Sequence, residues 1–187
     1  MFDSIISSIK GFGNFTEEDI SLFTSKLQVI NLAKNNFLLE EGQVCQSLYF
    51  LYEGSVRIYM IDSESDEHTH ELLTANDWII DYGSFTSQKP SGYFIQAFHE
   101  SKILELNVYA LHALIKASAS FFRLGKVLGH EFPDYPYKNS LLSPRERYAS
   151  LLASKPMVIQ TFPMKYIASY LGMRPETLSR IRSGIRI

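Results

Sequence analysis

A single cysteine, Cys45, stands in this chain of 187 residues. One thiol excludes an internal disulfide and leaves too few thiolates for an iron–sulfur cluster or a thiolate-built structural zinc. A reducing compartment, the cytoplasm, is therefore expected. No apolar run approaches the roughly 18 residues of a membrane span. The opening MFDSIISSIKGFG has neither a cationic start nor an unbroken apolar stretch, so neither a secretory signal nor a membrane partner is expected. A Gly-rich phosphate loop, a G-x-S-x-G elbow, internal repeats and low-complexity tracts are all missing. With 45% hydrophobic residues the chain is globular and long enough for one large domain, or for one medium domain with a small appendage.

Charge is scarce overall, a net of -2, but it is unevenly placed. From Ser143 onward there are eight Lys/Arg against Glu146 and Glu176, a net of +6, whereas the preceding residues carry a net of -8. A basic module on an acidic body points to a polyanionic partner for the module alone.

Thr16 followed by Glu17, Glu18 and Asp19 is a capped helix start. From about Val29 to Asn107 short segments rich in Val, Ile, Tyr and Phe alternate with turn residues, which favours an antiparallel sandwich or barrel. Glu53-Gly54 reads as a hairpin between SLYFLY and SVRIYM. Phe121, Leu124, Leu128 and Phe132 then form an apolar helical stripe. PDYPYKNSLLSP reads as a linker, because Pro133 and Pro136 cannot continue a helix. Ser143, Pro144 and Glu146 open a further helix to about Ser154.

The segment YIASYLGMRPETLSRIR carries a helix pair. Ile167 and Leu171 face inward, Ala168 permits a close crossing, Gly172 suits a left-handed helix end, and Pro175 with Glu176 suits a helix start. On the second helix Leu178, Ile181 and Ile185 share one side and Glu176, Ser179, Arg180 and Ser183 the other. A guanidinium can bond guanine bidentately and a carboxylate can accept from the cytosine amino group. Arg174, Thr177, Arg182 and Lys165 flank that face, where phosphates would lie. The pattern predicts a helix-turn-helix whose second helix enters the major groove of double-stranded DNA.

FPMKYIASYLGMRPETLSRIR resembles the helix-turn-helix of the Crp/Fnr family of bacterial transcription regulators, and LSPRERYASLLASKP resembles the helix preceding it there. FLLEEGQVCQSLYFLYEGSVRIYM resembles the start of that family's cyclic-nucleotide-binding-type jelly roll, with Gly42 and Gly54 at its turns. The resemblance implies an α+β chain: an antiparallel jelly-roll sensor over residues 1–109 with flanking helices, a dimerisation helix and linker over 110–142, and an all-α helix-turn-helix domain over 143–187. It implies a homodimer whose seam is the Phe121/Leu124/Leu128/Phe132 stripe, and Glu176 and Arg180 at base-reading positions. Pro175 stands where the family has an Arg, so the family's base preference is not carried over.

In family members that bind cyclic AMP, a Gly-Glu-Leu followed by Arg-Ser/Thr-Ala grips phosphate and ribose. Matched without gaps to IDYGSFTSQKPSGYFIQA, the Gly becomes Ile80, the Glu becomes Asp81 and the Arg becomes Ser91. A serine cannot replace a bidentate guanidinium–phosphate grip, whose loss costs about 2–5 kcal/mol when buried. Lys89 is the nearest other cation in sequence. Cyclic AMP is therefore not the expected ligand. A pocket for an unknown small molecule, lined by Asp81, Ser84, Ser91 and Tyr93, is the alternative, beside a barrel filled with its own aromatics.

His68-Thr69-His70-Glu71 invites a metal, as in cupin enzymes, since alternate strand residues share a face. The Glu follows directly and so falls on the other face, and Ile95 occupies the place of the second motif's His. No metal, no cofactor and no enzymatic activity are expected. Cys45 reads as a partly buried thiol, and His99, His112 and His130 as isolated. The leading expectation is a DNA-binding regulator; the runner-up is a ligand-binding or protein-interaction module with a vestigial helix-turn-helix.

Overall fold

A computed structural model describes residues 2–129 and 142–184. Helix α1 (Asp3–Lys10) buries Ile5 and Ile9 against the barrel. Helix α2 (Glu17–Ser25) starts at a capping box, in which Thr16 Oγ1 accepts from Asp19 N and Asp19 Oδ2 accepts from Thr16 N, both at 3.1 Å.

Eight strands follow: β1 (Gln28–Leu32), β2 (Phe37–Leu39), β3 (Ser47–Glu53), β4 (Ser55–Ile61), β5 (Glu67–Thr74), β6 (Trp78–Ile79), β7 (Phe94–Ala97) and β8 (Ser101–Asn107), with the short helix α3 (Tyr82–Ser87) between β6 and β7. They form two four-stranded antiparallel sheets, ordered β1-β8-β3-β6 and β2-β7-β4-β5. Buried residues of both sheets, among them Leu48, Phe50, Val56, Ile79, Ile95, Ile103 and Leu104, join one core, so the expected jelly roll is present.

Glu53-Gly54 is not a hairpin, contrary to expectation. β3 and β4 lie in different sheets, and Gly54 (φ +96°) turns the corner between them. A Cβ there would fall 2.3 Å from Ser101 Oγ and 2.4 Å from the Glu100 carbonyl, so the chain needs glycine.

After the barrel come α4 (Val108–Ala117), a 3-10 helix (Ala119–Leu124) and α5 (Gly125–Gly129). Ser118, whose extended backbone stops α4, precedes the expected stripe, and the stripe itself is divided between the 3-10 helix, which carries Phe121 and Leu124, and α5, which carries Leu128. Phe121 and Leu124 are buried in the barrel's own core, and Phe15 packs on Phe121 at 5.7 Å between ring centroids. Arg123 and Lys126 tie the segment to the carbonyls of Asn14 and Phe12. These two stripe residues therefore do not form an exposed dimer seam. The side chain of Leu128, the whole of Phe132 and most of the expected linker lie outside the described residues.

The C-terminal helices are α6 (Pro144–Ser154), α7 (Pro156–Thr161), α8 (Met164–Tyr170) and α9 (Pro175–Gly184). Ser143 and Glu146 make the capping box of α6, with Pro144 in its first turn. A second core joins Tyr148, Leu151, Val158, Phe162, Ile167, Tyr170 and Leu178 with Leu72 of β5. One barrel residue inside this core means that the helical domain is seated on the barrel.

Candidate nucleic-acid interface and barrel cavity

The helix-turn-helix is set by its turn. Gly172 adopts φ +62°, its N–H bonds the Ser169 carbonyl at 3.0 Å, and the Met173 N–H reaches back to the Ala168 carbonyl at 2.9 Å. That pair of bonds is a Schellman stop. Arg147, from α6, donates to the Leu171 carbonyl at 2.6 Å and holds the turn from outside. α9 then packs Leu178 fully and Ile181 partly inward.

Glu176, Ser179, Arg180, Arg182, Arg174 and Lys165 are exposed, and Thr177 is half-buried. Ile185, expected on the packing side, lies outside the described residues. A groove of about 300 Å³ runs beside the exposed face, lined by Arg145, Thr177, Arg180, Ile181 and Gly184. Arg145 lies in the first turn of α6 and Arg180 on α9, so tertiary packing brings together two guanidinium-bearing residues and a hydroxyl. Arg145 was not among the expected interface residues; its only signal in the sequence is its share in the basic C-terminal charge. Lys165 is not part of the groove lining, and its Nζ lies 4.5 Å from the ring centroid of its neighbour Tyr166.

The opposite side of the helical domain is the seat. Ser169 Oγ accepts from the Thr69 N–H of β5 at 2.9 Å. The Arg57 guanidinium of β4 lies between the rings of Tyr59 (3.8 Å) and Tyr166 (4.2 Å) while pairing with Glu67 at 2.7 Å. Phe98 packs on Phe162 and Tyr166 with centroids at 4.9 and 5.7 Å. Arg57 is only 4% exposed although its alternation on β4 marks it as outward, because α8 covers that outward face. Docking through α7 and α8 leaves the polar face of α9 in solvent.

The four expected ligand residues divide. Ser84 Oγ accepts from Cys45 N at 2.9 Å and donates to the Lys89 carbonyl at 2.6 Å. Ser91 Oγ accepts from Tyr93 N at 2.9 Å and donates to the Tyr93 carbonyl. Both hydroxyls therefore hold loops, and neither residue lines the cavity beside them. That cavity, of about 230 Å³, is walled by Ile58, His70, Ile80, Asp81, Tyr82, Gly83 and Tyr93. Asp81 is buried and caps α3, its Oδ1 accepting from Ser84 N at 3.0 Å. Burial first, and then the charge of Asp81, push the Tyr93 hydroxyl above the usual phenol pKa, so it stays protonated. Lys89 is exposed and not part of the wall.

The two histidines of β5 have separate neighbours. His68 Nε2 lies 2.6 Å from Asp62 at the hairpin tip, while the His70 ring rests 4.7 Å from that of Tyr93. A bulge opposite Ile58 and Tyr59 interrupts the pairing there. Among the described residues no three His, Cys, Asp or Glu side chains gather as metal ligands, and no helix is long and apolar enough to cross a membrane.

Residues 29–118 match the family described as the cyclic nucleotide-binding domain. The matched span covers nearly all of the barrel and α4. Over 103 residues the chain is 21% identical to the cAMP-activated global transcriptional regulator CRP of Salmonella typhimurium, a match covering 55% of this chain and 49% of that protein, so the matched region is about half the length of that relative. Among solved structures, FixK2 from Bradyrhizobium japonicum superposes with a TM-score of 0.67 at 17% identity, covering 84% of this chain and 83% of that one. The Thermus thermophilus catabolite activator protein gives 0.59 at 21% identity, covering 92% and 84%. The cyclic nucleotide-binding domain and the helical domain behind it together give the chain the Crp/Fnr architecture.

Proposed function

We propose that this chain is a cytoplasmic, non-enzymatic DNA-binding transcription regulator of Crp/Fnr type that acts as a homodimer and does not use cyclic AMP. The observation that carries the reading is the solvent-facing side of α9: Glu176, Ser179 and Arg180 stand exposed beside a groove that also draws Arg145 from α6. Base-edge chemistry lies on the helix and cations lie around it, which is the division of labour of a major-groove reader. A 10-residue helix spans few base pairs, so a two-fold pair of helices is needed for specificity. Against cyclic AMP stands Ser91, held in its own loop where a guanidinium would be needed, and the carboxylate of Asp81 in the cavity wall.

Selection of sites from random duplexes, followed by fluorescence anisotropy at several salt concentrations, tests the reading. Affinity is expected to fall steeply with salt. Arg180→Ala should erase the preference for the selected site, a loss of about 1–3 kcal/mol in discrimination. Arg145→Ala and Lys165→Ala should weaken all duplexes alike, and Arg145→Ala should lower the salt slope by about one. Unchanged specificity in Arg180→Ala would remove α9 from the groove; no duplex binding at low salt would end the DNA reading altogether. Titration calorimetry should show no heat with cyclic AMP at high micromolar concentration, and a monomer by sedimentation at tens of micromolar would defeat the dimer.

A further inference from the structure

The cavity between β4, β5, α3 and β7 has a wall whose one fixed formal charge is negative. Asp81 is 8% exposed, and of its two carboxylate oxygens Oδ1 accepts the Ser84 N–H. No lysine or arginine stands in the wall: Lys89 points to solvent, and Arg57 lies under Tyr166, paired with Glu67. Ile58 and Ile80 supply an apolar floor, and the Tyr93 and His70 rings pack on one another at its side. A phosphate placed here would meet a buried carboxylate and no lysine or arginine, whereas an organic cation would find a counter-ion and an aromatic face. The volume of about 230 Å³ lies below the ~300–1,000 Å³ of pockets that enclose drug-sized ligands. A single ring with a short arm fits it; a nucleotide does not.

We propose that this cavity binds a small organic cation, a protonated amine or amidine on a single-ring or short aliphatic body, with the Asp81 carboxylate as its counter-ion and the Tyr93 ring as its wall. This deepens the reading of the barrel as a sensor by naming the chemical class it senses. The site has a direct mechanical neighbour: His70, in its wall, adjoins Thr69, whose N–H holds Ser169 of the helix-turn-helix. A ligand pressing on His70 therefore acts on the strand that seats the DNA-reading domain.

The test titrates the full chain with phenethylamine and, separately, with the anionic near-isostere hydrocinnamate, followed by proton–nitrogen correlation spectra. Saturable shifts centred on the amides of Gly83 and Tyr93 are expected with the amine, and binding of hydrocinnamate about tenfold weaker or worse. Asp81→Asn keeps the cap of α3, since Asn caps as well as Asp, and should bring the two probes to about equal affinity. Equal binding of both probes to the native chain, a preference that survives Asp81→Asn, or no saturable shift at tens of millimolar amine would overturn the proposal. No DNA enters the measurement, so failure here leaves the DNA reading standing, and failure of DNA binding leaves this result interpretable.

Discussion

At the scale of single residues the environment decides what a side chain can do. Cys45 is fully buried, with its Sγ 3.5 Å from the Ser47 carbonyl, and burial pushes its thiol above the ordinary value. The thiolate is the reactive form, and here it is disfavoured at neutral pH. The native protein is therefore expected to leave Ellman's reagent unreacted for many minutes and to release one equivalent only on adding denaturant; fast native release would show the thiol to be accessible. The sequence marks Cys45 as a bland thiol without showing how deep it lies. Ser84 and Ser91 teach the converse: each has the right chemistry to meet a ligand, but local backbone partners take up both hydroxyls.

At the scale of elements, turns carry the demands that substitutions expose. Gly54→Ala must place a Cβ against Ser101 and Glu100 at positive φ, and should cost more than ~1 kcal/mol in chemical denaturation. Gly125→Ala, at φ -55° with open space around it, should be neutral or stabilising by up to ~1 kcal/mol. An equal loss at the two sites would contradict the corner at Gly54. The capped starts at Thr16 and Ser143 and the left-handed stop at Gly172 were legible because each rests on side chains within a few positions. Helix α7 was not, since MVIQT between Lys155-Pro156 and Phe162-Pro163 gives too few residues for a periodicity. The corner at Gly54 was misread for a related reason: a glycine at positive φ marks a turn in either case, and only pairing with distant β8 and β6 shows that β3 belongs to the other sheet.

At the scale of the whole molecule, the seat between barrel and helical domain is the feature with most consequence. Tyr166 stacks on Arg57 and packs with Phe98, so Tyr166→Ala should lower stability by about 1–3 kcal/mol and raise hydrogen exchange at the β5 amide of Thr69, whereas Tyr166→Phe keeps both contacts and should change little. Unaltered exchange in Tyr166→Ala would mean that the two domains do not share this surface in solution. Charge asymmetry, the strand-then-helix order and the polar face of α9 were present in the sequence because composition and a 3.6-residue period are local quantities. Three things were decided only by tertiary structure. Arg57 became a buried stacking residue, Phe121 and Leu124 turned into the core of their own barrel, and Arg145 joined Arg180 at one groove. Each depends on which surface covers which, and a pattern read along one element shows its faces but not what packs on them.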